Sequence, residues 1–226
     1  MTNARGFIIA GASLAGAKAA ETLRSEGYEE RIILVGDEPV RPYERPPLSK
    51  GYLRGELAFD DAAVHSQGFY EEHGIELLTS TTVTSIDPTS KVVELEPGGT
   101  IAYDQLLLST GARPRSLSVP GSDLGGLLYL RTVADCDALR AALDQASKVV
   151  VIGAGWIGCE VAASARQLGK DVDIIEAARV PLERVLGAEV GAIFADLHAD
   201  HGVNLHLGEG VESFVGAHSV EEVVLA

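Results

Sequence analysis

A chain of 226 residues with 46% hydrophobic and 23% charged residues has the make-up of one large or two small folded domains, not of a disordered segment. Its 18 Lys and Arg against 33 Asp and Glu leave a net charge of −15. A field of that sign argues against a protein that wraps nucleic acid or lies on anionic lipid, but it permits a small anion held by backbone N–H groups.

In chain order, Gly6–Ala10 (Gly-Phe-Ile-Ile-Ala) reads as a short buried strand. Gly11-Ala12-Ser13-Leu14-Ala15-Gly16 follows as a glycine turn that opens a helix, with Leu14, Ala17 and Leu23 along it and Gly27 closing it. Arg5 before the apolar stretch Phe7–Ala17 imitates a secretory signal, yet Lys18 interrupts it and the strand–turn–helix reading explains the same residues. No run approaches the ~18 apolar residues that a spanning helix needs. The two cysteines, Cys136 and Cys159, form neither a disulfide framework nor a metal quartet. A cytoplasmic protein without a membrane or nucleic-acid partner is expected.

A second apolar run, Arg31–Val35, ends in Gly36-Asp37-Glu38. Val40–Gly55 is a Pro- and Arg-rich loop, Gly74–Thr84 and Lys91–Leu95 have strand character, and Pro97-Gly98-Gly99 is a hairpin-type turn before Ile101-Ala102-Tyr103. Leu106–Leu108 is a buried strand leading to Ser109-Thr110-Gly111-Ala112-Arg113-Pro114, and a domain boundary fits Gly111–Gly126. The opening pattern then returns. Lys148–Ile152 leads into Gly153-Ala154-Gly155-Trp156-Ile157-Gly158, a helix carries Val161, Ala165 and Leu168 with Gly169 at its end, and Asp171–Ile175 delivers Glu176. Glu189–His201 reads as a helix, and Val203–Leu207 and Val220–Leu225 as strands. Two strand–turn–helix–strand–acid units of this kind predict an α/β fold with two doubly wound, Rossmann-like dinucleotide-binding domains, parallel sheets and small antiparallel additions.

In G-x-G-x-x-G the first glycine makes the turn, the second admits a pyrophosphate, and the third lets helix and strand pack. Gly153, Gly155 and Gly158 satisfy all three in the required context, and Glu176, 23 residues after Gly153, stands where a ribose-binding acid belongs. Its carboxylate would accept from a free 2′-hydroxyl and repel a 2′-phosphate, so NADH is expected over NADPH, although Arg179 lies within reach of a phosphate. The first turn keeps Gly11 and Gly16 but has Ser13 at the close-approach position. A nucleophilic serine elbow would need Gly at 15, where Ala15 stands. His198, His201 and His206 fit a solvated helix end and its neighbouring strand better than a metal site, so no metal is expected.

The Gly-Ala-Ser-Leu-Ala-Gly turn, Gly36-Asp37-Glu38, Tyr43-Glu44-Arg45-Pro46-Pro47-Leu48-Ser49-Lys50, Ser109–Pro114, Tyr129-Leu130-Arg131-Thr132 and the Gly153–Glu160 block occur in an order that resembles the flavin-dependent ferredoxin reductases of the putidaredoxin-reductase and rubredoxin-reductase type. The resemblance covers essentially the whole chain, and the Tyr-Glu-Arg-Pro-Pro-Leu-Ser-Lys stretch is its most specific element. It implies an enzyme passing electrons from NADH through FAD to a small [2Fe–2S] ferredoxin that serves a haem monooxygenase or Rieske oxygenase. Residues 1–112 would be the N-terminal part of the FAD domain and 113–226 the NAD domain.

By this resemblance Gly11, Ser13, Leu14, Ala15 and Gly16 lie at the FAD pyrophosphate, Asp37 and Glu38 at the adenosine end, and Val83 makes an adenine-side backbone contact. Lys50 approaches the isoalloxazine and Arg131 contacts the flavin, and Arg45, Thr110 and Gly111 are further cofactor-binding residues. Gly153, Gly155, Trp156, Ile157, Gly158 and Glu176 hold NADH. Glu160, placed in the first turn of the second helix, pairs with Lys50 across the domain interface, and the two form the catalytic set, with Lys50 compensating charge at the flavin. Disulfide reductases of similar architecture carry a closely spaced Cys pair, whereas Cys136 and Cys159 are 23 apart. Arg41, Arg45, Arg54, Arg113 and Arg115 either guide an acidic ferredoxin or serve phosphate contacts and solvated loops.

The family continues past this length with the rest of the NAD domain, a return into the FAD domain bearing a Gly-Asp pair, and a C-terminal domain, so the chain is expected to be a piece of a longer protein. Two other readings stay open: a relative that delivers to rubredoxin or another acceptor, and a nucleotide-binding module without turnover. The oligomeric state is not readable from the sequence.

Overall fold

A computed structural model describes residues 5–226, which form two compact units. The first comprises the chain up to Glu44 together with Phe59–Ala112; the second comprises Arg45–Ala58 and Arg113–Ala226. The strap 45–58 therefore departs from a division at 112/113 and packs with the second unit.

The first unit is built on a four-stranded parallel sheet ordered β3-β2-β1-β7, from β1 (Phe7–Ala10), β2 (Ile32–Val35), β3 (Ile75–Leu78) and β7 (Gln105–Leu108). Strand alternation divides its apolar residues between two faces. Ile9, Ile32 and Leu34 meet Ala20 of α1 (Leu14–Ser25) and Tyr70 of α3 (Phe69–Glu72). Ile8, Ile33 and Val35 meet Val93 and Tyr103, on the side of an antiparallel sheet of β4 (Thr82–Asp87), β5 (Val92–Glu96) and β6 (Thr100–Ala102). Both faces are dry, which is why these strands read as unbroken apolar runs.

One sequence expectation divides in two. The strand character over 74–84 belongs to β3 in the parallel sheet and β4 in the antiparallel one, separated at Ser80, whose φ of 48° lies in the left-handed region. The turn Pro97–Gly99 does join β5 to β6.

In the second unit a three-stranded parallel sheet ordered β10-β9-β8 contains β8 (Lys148–Ile152), β9 (Asp171–Glu176) and β10 (Val203–Leu207). α5 (Trp156–Gln167) packs on β8 and β9 and buries Cys159, Val161, Ala162, Ser164 and Ala165, mostly small residues that allow close approach. α4 (Val133–Gln145) went unread in the sequence although Thr132 and Asp135 close a reciprocal capping box at its start. α6 (Glu183–Asp200) begins well before Glu189, because a turn of helix precedes the kink at Gly187, where φ is 79°. His198, expected to be solvated, is 7% exposed, and burial lowers its pKa. The expected strand 220–225 is β12 (Glu222–Leu225), paired antiparallel with β11 (Val211–Val215). The short α2 (Phe59–Ala62) completes the set.

Candidate functional site

Each parallel sheet ends, at the carboxyl edge of its first strand, in a glycine turn that opens a helix. In the first unit Gly11 has φ of 117°, and a β-carbon there would lie 2.2 Å from the Ser109 carbonyl oxygen. A β-carbon on Gly16 would lie 2.0 Å from the Gly11 oxygen. The Ser109 hydroxyl donates to that same Gly11 carbonyl at 2.9 Å, a contact that pins the turn to the end of β7 and that sequence patterning did not reveal. Ser13 is the N-cap of α1 without a side-chain capping bond, and the first intrahelical bond runs from Ala17 N–H to the Ser13 carbonyl. The N–H groups of Leu14, Ala15 and Gly16 thus have no partner within the helix. Leu14 and Ala15 are exposed.

Asp37 and Glu38 follow β2, and Thr110 and Gly111 follow β7, so all four share the carboxyl edge of the sheet with the turn. Asp37 is exposed, while Glu38 accepts from the Tyr43 hydroxyl. Thr81 N–H bonds the Gly36 carbonyl and Ser80 N–H bonds the Glu38 carbonyl. Val83, two residues on, is the second residue of β4, at a point where the β4–β5 register shifts.

The second turn repeats the geometry. Gly153 has φ of 97°, and a β-carbon on Gly158 would stand 1.9 Å from the Gly153 oxygen. Gly155, the N-cap of α5, has φ of −76° and nothing within 4 Å of an added β-carbon. No internal contact requires glycine at this position, so what its bareness leaves open is approach from outside. Cys159 N–H makes the first intrahelical bond, to the Gly155 carbonyl, and Trp156 and Ile157 are about half exposed at the open N-terminus. Orphan N–H groups, the positive helix end and an unfilled cradle together fit a pyrophosphate.

Glu176 closes the site from the end of β9. Its Oε2 accepts from Ala154 N–H in the turn at 2.7 Å, and its Oε1 from Ala178 N–H at 2.8 Å. The carboxylate is thereby oriented on the glycine turn itself, with lone pairs left for a ribose hydroxyl.

The strap brings the remaining residues into the second unit. It contains a 3₁₀ turn, Pro46–Ser49, whose two prolines pre-set φ. Cys136 Sγ donates to the Leu48 carbonyl at 3.1 Å, the Ser164 hydroxyl to the Ser49 carbonyl at 2.7 Å, and the Tyr52 hydroxyl to Asp137 at 3.0 Å. Arg54 reaches the Ser164 hydroxyl at 3.1 Å, and Arg45 donates to the Arg131 carbonyl. Held this way, Lys50 Nζ lies 2.6 Å from Glu160 Oε2, and the Ser49 hydroxyl donates to that same oxygen at 2.5 Å.

The expected Lys50–Glu160 pair therefore exists, but it forms within the second unit rather than across an interface, because the anchors tie the strap to α4 and α5. Glu160 is also the fifth residue of α5, not a first-turn acid. Its partners Ser49 and Lys50 explain the carboxylate better than the helix dipole does. The contacts of Ser49 and Ser164 were not anticipated, since serines in a loop and a helix carry no distinguishing pattern. Of the five arginines singled out, Arg41 pairs with Asp60, Arg45 binds the Arg131 carbonyl and Arg54 pairs with Glu56, while Arg113 and Arg115 are exposed.

Both cysteines are free and buried, and burial pushes each thiol up to about 11, so neither is a thiolate near neutral pH. Among the described residues no three His, Cys, Asp or Glu side chains gather as a metal site, and no helix is long and apolar enough to cross a membrane.

Two doubly wound units, each with a phosphate-type cradle at the carboxyl edge of a parallel sheet, define a dinucleotide-binding α/β protein. The chain belongs to the pyridine nucleotide-disulphide oxidoreductase family, whose model matches residues 6–226. It is 43% identical over 211 residues to rhodocoxin reductase of Rhodococcus erythropolis, covering 93% of this chain and 49% of that protein. It is 42% identical over 217 residues to the benzene 1,2-dioxygenase system ferredoxin–NAD(+) reductase subunit of Pseudomonas putida, covering 96% of this chain and 53% of that protein. A ferredoxin reductase for the CYP199A2 system from Rhodopseudomonas palustris superposes with a TM-score of 0.94 at 39% identity, over 98% of this chain and 55% of that one. The chain thus spans about half the length of the relatives it matches.

Proposed function

We propose that this chain is the nucleotide-binding part of an NADH-dependent flavoprotein reductase that passes electrons to a small [2Fe–2S] ferredoxin, transiently bound, in the cytoplasm. NADH supplies a two-electron reductant and FAD the means of releasing single electrons. Gly11, Ser13, Leu14, Ala15 and Gly16 would hold the FAD pyrophosphate, with Asp37, Glu38 and Val83 toward the adenosine and Thr110 and Gly111 beside them. Gly153, Gly155, Trp156, Ile157 and Gly158 would hold the NADH pyrophosphate, and Glu176 its adenosine ribose. Arg45 and Arg131 accompany the flavin side.

In this reading Lys50 brings a positive charge to the reacting rings. Glu160 orients that ammonium, and Ser49 orients Glu160. The names of the relatives support ferredoxin and NAD(+) as the exchange partners. Two buried, un-ionised thiols support a route without a dithiol relay, in a reducing compartment.

The observation that carries the proposal is the second cradle, in which Glu176 is fastened to the glycine turn at the place where a free ribose 2′-hydroxyl is read. Protein purified with FAD should show flavin absorption that NADH bleaches and NADPH does not. Colourless protein that takes up no FAD would overturn the flavin assignment. Bleaching by NADPH in preference to NADH would overturn the role of Glu176.

A further inference from the structure

The loop from β9 to α6 closes on its own carboxylates. Glu176 takes the N–H of Ala178, and the next N–H along the chain, that of Arg179, goes to Glu183 Oε2 at 3.0 Å. The Arg179 guanidinium gives Glu183 Oε1 two further bonds, from Nε at 3.2 Å and from Nη2 at 2.5 Å. A guanidinium fork beside a backbone N–H is the donor set that receives a phosphate in charge-assisted, bidentate geometry. Here a protein carboxylate already fills it.

The two partners are unequally placed. The Glu183 side chain is 20% exposed, whereas that of Arg179 is 81% exposed and free to swing once released. The carboxyl of Glu183 is held below the usual carboxylate range, chiefly by the hydrogen bond from Arg179. Glu183 thus stays an anion throughout the neutral range.

We infer that Glu183 is a specificity-determining residue of the nicotinamide-dinucleotide site: by occupying Arg179 and its backbone N–H, it withholds the donors that a 2′-phosphate would need. The inference rests on the dinucleotide reading of the second unit and adds a second carboxylate to it. Glu176 reads the 2′-hydroxyl directly, while Glu183 acts through Arg179 and excludes the 2′-phosphate by prior occupation. Arg179 taken alone points toward NADPH; the ion pair reverses that implication.

Calorimetric titration of the protein with NAD+ and with NADP+ tests this without turnover. Glu183→Gln keeps an oxygen for the Arg179 N–H and releases the guanidinium. It should strengthen NADP+ binding about fivefold, the scale of one exposed ion pair, and leave NAD+ within about twofold. The gain should vanish when Arg179→Ala is added, and shrink at about 0.5 M salt, where the Debye length falls to about 4 Å. Arg179→Ala alone should leave NADP+ binding unchanged, because that side chain is already engaged.

Unchanged NADP+ affinity in Glu183→Gln, with NAD+ still bound, would overturn the inference. So would a gain that survives loss of Arg179, or a weakening of NADP+ in the single Arg179→Ala variant. If the unaltered protein binds neither dinucleotide, the dinucleotide reading falls and takes this inference with it.

Discussion

The two strand–turn–helix copies agree where the backbone meets itself and differ where the rest of the chain meets them. In both, the third glycine sits against the carbonyl of the first, at 2.0 Å for Gly16 and 1.9 Å for Gly158 as seen by an added β-carbon. In the first copy the first glycine is also walled in by Ser109 at the end of β7, whereas Gly153 has open space, since β8 is the edge of its sheet. The sheet faces diverge too. Ile33, paired with Ile8, is covered by Val93 and Tyr103, while Asp173, paired with Val150, is bonded to Lys148 and Asn204 beside a cavity of about 840 Å³. The geometry at the helix start is therefore common to both copies, and the environment around it is not.

The largest effects should fall on what the copies share. Gly16→Ala and Gly158→Ala each force a β-carbon onto a backbone carbonyl and should cost about 3 kcal/mol in thermal or urea unfolding. Near-neutral outcomes would mean that the close packing is not needed in either copy. The next test separates the copies. Gly11→Ala and Gly153→Ala share the strain of a positive φ, about 1–2 kcal/mol, but Gly11→Ala adds the collision with Ser109. Equal losses would erase the difference.

Removing the Ser164 hydroxyl, which serves the strap in the second copy alone, leaves the Ser49 carbonyl without its donor. Ser164→Ala should cost about 2 kcal/mol in the same assay, and much less would mean that the strap is held elsewhere.

Asp173 offers a pH test. Burial pushes its carboxyl up, but hydrogen bonds from Lys148 and Asn204 and the charge of Lys148 outweigh this and hold it below the usual value. A carboxyl depressed by folding stabilises above its unfolded pKa and loses that stability as pH falls through the folded one. Asp173→Asn should thus cost about 1 kcal/mol at neutral pH, and the gap should begin to close only below the ordinary aspartate value of about 3.9, as the folded carboxyl itself takes up a proton. A gap that persists in acid would rule out the charge as its source. The smallest effect belongs to Ser13→Gly. With no capping bond to lose, the change should stay at a few tenths of a kcal/mol and retain FAD.

Much of this was legible because it is local. A run such as Ile32–Val35 signals a strand buried on both faces, and the spacing of Gly153, Gly155 and Gly158 announces the turn that opens α5. Glu176 stands at the end of β9 against the turn, as its distance along the chain suggested. α4 escaped because its capping box alone was too weak a signal, and the early turn of α6 because Gly187 hides the continuity.

By itself, then, the sequence determined that two phosphate-type cradles exist and which backbone atoms build them, since those features depend on residues a few positions apart. Only the tertiary structure decided that Ser49 and Lys50 share one oxygen of Glu160, and that Ser109 locks Gly11. It alone placed the strap 45–58 with the second unit. These are hydrogen bonds between residues roughly a hundred positions apart, and no periodicity or propensity encodes which side chains a folded chain brings within 3 Å.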